Sequence, residues 1–155
     1  MKRPVISLLF AFLLLAGCGK SAPDCIQSSG DVVREELALP AFEKITVFEN
    51  VRLVLRYGTE QRVVLETGKN LRPDVSALVE EGTLELRDQN NCNFFRAYGR
   101  TTFYVTTPDL QVLRSSTGWP IQSEGVLPFT ALSLVSESFN NPETDRFSTF
   151  IKAMV

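Results

Sequence analysis

The sequence contains no histidine among its 155 residues. Histidine is the usual general base for serine and cysteine nucleophiles and a common zinc ligand. Its absence excludes Ser-His-Asp and Cys-His catalytic arrangements and imidazole metal sites. Cysteine is scarce too, at three residues. We therefore predict no catalytic residue, no metal site and no cofactor.

Long apolar runs are lacking as well, except at residues 5–15, which follow two basic residues. This run has about half of the roughly 20 apolar residues that a membrane-spanning helix needs. A basic start and a short apolar run before small residues are typical of a secretory signal. The run ends in Leu-Ala-Gly-Cys at positions 15–18, which resembles the lipobox of bacterial lipoproteins, where the cysteine thiol is acylated after cleavage in front of it.

This pattern predicts a signal peptide at residues 1–17 and a lipid on Cys18. The alternative is an ordinary signal peptide followed by an unrelated cysteine. With the lipid, the protein is anchored in the cell envelope, which we expect to be the outer membrane, and the membrane is its first partner. The small polar residues that follow predict a lipidated tether at 18–31.

Without residues 1–17 the chain has 14 basic and 18 acidic residues, a net charge of −4. This mild acidity gives no electrostatic reason to bind nucleic acid, so we expect no nucleic-acid partner. Two cysteines remain, Cys25 and Cys92. In an oxidising compartment a pair of thiols most simply forms one disulfide, and we predict that bond. Free or metal-binding thiols are the alternative.

From residue 32 onward apolar and polar residues alternate in short segments at 51–57, 63–67, 75–79, 84–86 and 102–107. Turn residues separate these segments about every ten positions. A period of two with β-branched residues predicts strands. We therefore expect an all-β domain at 32–155, with antiparallel or mixed strands.

A short repeat follows: residues 110–116 recur 22 positions later as residues 132–138, apolar matching apolar. A period of this length is typical of stacked supersecondary units. It predicts a parallel β-solenoid in this part, with four side chains stacked inside: Leu110, Val112, Leu132 and Leu134. The tail at 139–155 lacks a polar terminal unit, so we expect an incomplete C-terminus; the alternative is that this tail is itself the cap.

Several of these segments together resemble a known family. They are Phe-Glu-Lys-Ile-Thr-Val at 42–47, Gly-Thr-Leu-Glu-Leu at 82–86 and Thr-Pro-Asp-Leu at 107–110. Their order over residues 32–138 resembles the head GIN domain, a domain of unknown function named for adhesin heads and widespread in Bacteroidetes lipoproteins. The resemblance implies a strand-rich, solenoid-like fold and an envelope location, but no binding residue is carried over. Its turn at Ser115–Gly118 is looser here than in the family pattern.

Aromatic residues give the only candidate site. Phe94, Phe95 and Tyr98 lie beside arginines in a polar segment, and Trp119 lies at a predicted corner. Aromatics with arginine are common at binding interfaces, so these four form a possible binding surface. The alternative is that they plug the end of a β core.

We therefore expect a cell-envelope lipoprotein whose domain binds a glycan or an envelope protein without catalysis. One alternative is a self-associating structural protein whose edge strands stack with other copies. A second is a glycan-cleaving enzyme, which needs two carboxylates converging in one groove about 5–9.5 Å apart. The adjacent pairs Glu35-Glu36 and Glu80-Glu81 do not provide them locally, because neighbours on a strand point to opposite faces.

Overall fold

The structure is a computed structural model that describes residues 28–90 and 99–136. These ranges contain ten strands and one turn of 3-10 helix, which confirms the all-β class. No described helix is long and apolar enough to cross a membrane. The strands are β1 Val32–Leu37, β2 Lys44–Val47, β3 Val51–Tyr57, β4 Arg62–Gly68, β5 Val75–Glu80, β6 Thr83–Asp88, β7 Thr101–Thr107, β8 Val112–Ser115, β9 Ile121–Glu124 and β10 Ser133–Ser136, and the 3-10 turn is Arg72–Asp74.

The strands form two five-stranded mixed sheets. Sheet A has the order β1-β4-β7-β3-β9 and sheet B the order β10-β8-β2-β6-β5. The strands β7, β3 and β9 pair in parallel, and so do β6, β2, β8 and β10. Antiparallel pairs join β1 to β4, β4 to β7 and β5 to β6. Buried apolar side chains from both sheets form one core.

Alternation along the strands builds this core, because successive side chains of a strand point to opposite faces. One inward row of sheet B crosses β6, β2, β8 and β10 as Leu84, Ile45, Leu113 and Leu134. The matching row of sheet A crosses β4, β7, β3 and β9 as Leu65, Phe103, Leu53 and Ile121. Every member except Leu134 is at most 2% exposed. Burying such a side chain fully contributes about 1.5–3 kcal/mol.

The register of the repeat differs from the sequence prediction. Leu134 of β10 pairs with Leu113 of β8, so the spacing is 21 residues and not 22. A slip of one residue exchanges the two faces of a strand. The predicted inward Val112 is accordingly only half-buried, whereas Leu113 is 2% exposed and faces the core. Of the other three predicted interior residues, Leu110 is buried, Leu132 packs partly against the core and Leu134 is 39% exposed.

A two-residue hairpin joins β5 to β6. Its residues Glu81 and Gly82 both have positive φ, at 47° and 72°. A type I′ turn requires positive φ at both central residues, and its twist suits the flanking strands. The hairpin therefore sets the register in which Glu80 pairs with Thr83.

A buried polar network links the end of β6 to the start of β7. The Thr101 hydroxyl donates to Asp88 Oδ2 at 2.6 Å, and the Asn90 main-chain N–H donates to Asp88 Oδ1 at 2.9 Å. The hydroxyl oxygens of Thr67 and Thr101 lie 2.8 Å apart. These four residues are at most 8% exposed. Both oxygens of the buried carboxylate are bonded, as burial of a charge requires.

Ser28 and Asn90 lie at the same turn, between β4 and the 3-10 helix. Asn70 Nδ2 donates to the Ser28 carbonyl oxygen at 2.9 Å, and Asn90 Nδ2 donates to the Leu71 carbonyl oxygen at 3.0 Å. Cys25 precedes Ser28 by three positions and Cys92 follows Asn90 by two, and both cysteines lie outside the described residues. Cys18 and the tail at 139–155 lie outside them too, so the disulfide, the lipid and the incomplete C-terminus stay predictions.

Candidate functional site

The outer face of sheet A carries arginine and aromatic side chains in three cross-strand rows. Its central strand, β3, points Arg52, Val54 and Arg56 outward, because Leu53 and Leu55 between them face the core. We call this surface, together with Trp119, the sheet-A face. From β1 toward β9 the rows are Arg34–Glu66–Thr102–Arg52, Glu36–Val64–Tyr104–Val54–Gln122 and Arg62–Thr106–Arg56–Glu124.

Tyr104 lies at the centre of this face between two arginines. The guanidinium carbons of Arg34 and Arg56 lie 4.8 and 5.4 Å from its ring centroid. Such cation–π contacts are worth about 0.5–1 kcal/mol at exposed sites. Val54, the direct cross-strand neighbour of Tyr104, is 8% exposed although it points away from the core. The long side chains around it therefore cover the centre of this face of the sheet.

Arg56 and Glu124 form a close ion pair of the face, with 2.6 Å between Nε and Oε2. The hydrogen bond from Arg56 lowers the pKa of Glu124 below its usual value. The same bond raises the pKa of the Arg56 guanidinium. Both side chains are exposed to solvent, at 38% and 53%, so the pair contributes little to stability. Its main effect is to hold the Arg56 guanidinium in place.

Trp119, one of the four predicted binding residues, is half-buried at the edge of this face. The Arg52 guanidinium carbon lies 4.3 Å from its ring centroid. Gly99 lies against the same indole, since a Cβ at position 99 would be 2.6 Å from the ring. Thr117, two residues earlier, donates from its hydroxyl to the Val51 carbonyl oxygen at 2.8 Å. These contacts fix the indole beside the guanidinium of Arg52.

The other three predicted binding residues, Phe94, Phe95 and Tyr98, lie outside the described residues. Gly99 directly follows Tyr98 in the sequence and contacts Trp119. The described chain therefore resumes beside the sheet-A face. Whether the four aromatics form one surface stays a prediction.

Arg52 differs from the other arginines of the face. Three of them pair with glutamates: Arg34 with Glu66 at 3.9 Å, Arg62 with Glu36 at 2.6 Å, and Arg56 with Glu124. No ion pair joins Arg52 to a carboxylate of the described residues; its described partner is the ring of Trp119. A guanidinium presents donors in a fork that matches a carboxylate. The arrangement can therefore bind an anionic group beside an aromatic ring.

Carboxylates also meet in a cleft of about 420 Å³ between the edges of the two sheets, where β1 faces β5. Glu35 and Glu36 both line it, but their carboxylates bind different arginines. Arg72 Nε donates to Glu35 Oε1, and Arg62 Nη2 lies 2.6 Å from Glu36 Oε2. Within the described ranges no three acidic or cysteine side chains come together as a metal site. The geometry of this cleft offers ion pairs and not a carboxylate dyad.

Sequence reasoning identified Trp119 but did not single out Arg52, Arg56 or Tyr104 as binding residues. The signal that was available is the alternation of β3 and β7, whose outward residues are Arg52, Val54, Arg56 and Thr102, Tyr104, Thr106. Alternation shows that these side chains share faces of their own strands. It does not show that β3 and β7, about 50 residues apart, are neighbours in parallel register.

Comparison with known proteins gives a family match. The family model described as "Putative auto-transporter adhesin, head GIN domain" matches residues 41–145. A search of curated proteins found no significant match.

Solved structures with a similar fold come from Bacteroides and Parabacteroides species. A putative adhesin from Bacteroides fragilis has a TM-score of 0.61 at 13% identity, over 72% of this chain and 52% of that one. A putative adhesin from Parabacteroides merdae has a TM-score of 0.58 at 10% identity, over 72% and 46%. A putative lipid binding protein from Parabacteroides distasonis has a TM-score of 0.56 at 14% identity, over 69% and 46%. The chain thus spans about half the length of each.

Proposed function

We propose, from the premise that this chain belongs to the head GIN domain family, that it is a lipid-anchored cell-envelope protein that binds a partner without catalysis. The family description and the neighbouring structures agree with a surface or envelope role. The sheet-A face supplies the binding surface in this proposal. Its layer of arginine and aromatic side chains is the kind of surface that anchors interfaces.

The anchor is the part of the proposal that rests on the sequence of residues 1–18. Two or three acyl chains on Cys18 would hold the protein firmly, at about 0.8 kcal/mol per buried CH₂. Ser28, ten residues after Cys18, already contacts Asn70 of the domain. The test is mass spectrometry of the purified protein. We expect an acylated Cys18 at the N-terminus, and an unmodified residue 18 would contradict the anchor.

The parallel strands support a solenoid as the finer description of the fold. Each of β2, β6 and β8 in sheet B is followed along the chain by its parallel-sheet counterpart in sheet A, namely β3, β7 and β9. Inward residues stack in register from one such pair to the next, as in Leu84, Ile45 and Leu113. In this proposal each strand pair is one coil, and the antiparallel strands β4 and β5, with β1 beside β4, cover the β6–β7 coil.

The proposed ligand is an acidic glycan. The main support for this choice is the environment of Arg52. The guanidinium is exposed, held over Trp119, and without a carboxylate partner in the described part of the chain. A uronate carboxylate can accept hydrogen bonds from two N–H groups of the Arg52 guanidinium. The uncharged side chains of Gln122, Thr102 and Thr106 can hydrogen-bond to the hydroxyl groups of the sugar. An envelope protein with acidic side chains is the alternative partner.

The test uses the purified full chain and two immobilised polymers, polygalacturonate and its neutral methyl ester. We expect binding to the acid and not to the ester. Arg52→Ala should weaken binding about tenfold, because a hydrogen bond to a charged group is worth about 1.5–3 kcal/mol.

Arg87→Ala is the matched control for Arg52→Ala. Like Arg52→Ala, it removes one positive charge and one guanidinium that lies over an aromatic ring. The Arg87 guanidinium carbon is 3.3 Å from the centroid of the Phe48 ring, and Arg87 belongs to sheet B. This variant should bind as the parent does. Equal binding of acid and ester, or equal losses in the two variants, would contradict the proposed site. If an acidic envelope protein binds through Arg52 and no glycan binds, the ligand of this site is that protein and not a glycan.

A further inference from the structure

The two sheets end side by side in edge strands that differ in charge. Strand β1 carries Arg34, Glu35 and Glu36, and Glu35 lies on the inward side, paired with the buried Leu65. Charges on an edge strand, especially inward-pointing ones, prevent pairing with another chain. Strand β5 has no charged residue from Val75 to Val79, and its outward Leu78 is 55% exposed. The edge of β1 is protected, whereas that of β5 is not.

The main chain of β5 has two residues with free edge groups. Arg72 Nη1 donates to the Val75 carbonyl oxygen at 3.0 Å, so that carbonyl points away from β6. Main-chain groups of alternate strand residues point to the same side. The N–H and C=O groups of Ala77 and Val79 therefore also point away from β6. In the described structure β5 pairs with β6 alone.

We propose that β5 pairs antiparallel with β5 of a second copy of this chain, about a two-fold axis at Leu78. In this register Ala77 of one copy is opposite Val79 of the other, and the pair exchanges two hydrogen bonds on each side of the axis. The neighbouring registers bring Val75 or Glu81 into the ladder. The Val75 carbonyl is already taken by Arg72, and Glu81 is in the turn.

The side chains of this register suit each other. Leu78 meets its symmetry mate at a non-hydrogen-bonded pair, where Cα atoms are about 4.5 Å apart and side chains are closest. Ser76 is opposite Glu80, and Ala77 is opposite Val79 on the inward face, so no like charges are opposed. The pairing covers the exposed Leu78 and joins two copies of sheet B into one sheet. A ladder of this size makes a weak interface.

A disulfide trap tests the register directly. The proposed Cα separation at position 78 lies within the range of about 4.4–6.8 Å that a disulfide spans. Under mild oxidation the full chain carrying Leu78→Cys should give a reducible dimer in several-fold excess over the parent. The control Val126→Cys places a thiol at a residue that is 61% exposed, next to β9. Equal cross-linking of the two variants would overturn the proposal.

Leu78→Lys provides a second test, because it opposes two like charges at the axis. It should raise the dissociation constant of the dimer about tenfold in sedimentation equilibrium. Circular dichroism should match the parent, since Leu78 is exposed. Ala77→Pro should act likewise, because it removes an N–H that points away from β6. Association that persists unchanged in both variants, or a parent that gives no dimer, would overturn the proposal. Neither test involves the sheet-A face, so glycan binding can fail independently.

Discussion

The two ends of the double sheet are built differently. At the β1–β5 end the strands are antiparallel, a tight hairpin joins β5 to β6, and charged residues lie along β1. At the β9–β10 end the strands are parallel continuations of the sheet interiors. Along one inward row, exposure rises from 0% at Leu84 and Ile45 to 2% at Leu113 and 39% at Leu134. Burial along this row therefore falls at the edge strand β10, whereas Ile121 of the other edge strand, β9, is 1% exposed.

The largest expected effect concerns the β1–β5 end, where we predict the bond between Cys25 and Cys92. Contacts of Ser28 and Asn90 with residues 70 and 71 bring the flanking chain segments to one turn. A loop of this length gives about 4 kcal/mol of stabilisation in the chain-entropy model. Reductant should lower the free energy of unfolding of the parent by about that amount, measured as a lower urea midpoint. Cys25→Ser and Cys92→Ser should each show the same loss and no further response to reductant.

Cys18→Ser is the control for this measurement, since it leaves the predicted pair intact and should keep the response to reductant. A parent whose unfolding midpoint is unaffected by reductant would show that the two thiols are not bonded.

The next effect compares equal truncations at two positions of one row. Leu113→Ala should cost about 2–5 kcal/mol, because it leaves a cavity in a closed part of the core. Leu134→Ala should cost about 1 kcal/mol, because its side chain is already partly in water. Urea unfolding of both variants measures the difference. Equal losses would mean that Leu134 is as enclosed as Leu113 and that burial does not fall at β10.

The same two residues show how far sequence reasoning reaches. Alternation located the strands well, because period-two burial is local to each strand. The 22-residue repeat misjudged the register, because Val112-Leu113 and Leu134-Val135 are each two adjacent apolar residues and satisfy either alignment. The hydrogen bonds between β8 and β10 determine the alignment, and they place Leu113 beside Leu134. The role of Tyr104 was missed for a related reason: its arginine contacts come from β1 and β3, which are distant in sequence.

Gly99 tests the packing of the sheet-A face near the β9–β10 end. It has a φ of 71°, and a Cβ there would lie 2.6 Å from Trp119. Gly99→Ala should therefore destabilise the protein by about 1–3 kcal/mol and displace the indole from Arg52. The chain has one tryptophan, so its fluorescence reports this directly. Gly82→Ala is the matched control: φ is 72°, but a Cβ would contact nothing within 4 Å. An unchanged spectrum in Gly99→Ala would contradict the packing.

The smallest effect is the pH dependence of the Arg56–Glu124 pair on β3 and β9. The folded-state pKa of Glu124 is lowered, so its stabilisation is present above the unfolded-state pKa and is lost as pH falls through the folded value. Because both side chains are exposed, the contribution should stay within about 0.5 kcal/mol. Urea unfolding of the parent and Glu124→Gln should converge at acidic pH. A difference that grows as pH falls would reverse the assigned sign.

The most direct test of the central claim, that the sheet-A face is the binding surface, is a fluorescence titration of Trp119 with oligogalacturonate. We predict a saturable change in the parent and in Arg87→Ala, and a curve shifted about tenfold to higher concentration in Arg52→Ala. A signal that does not change in the parent, or that is the same in Arg52→Ala, would contradict the claim.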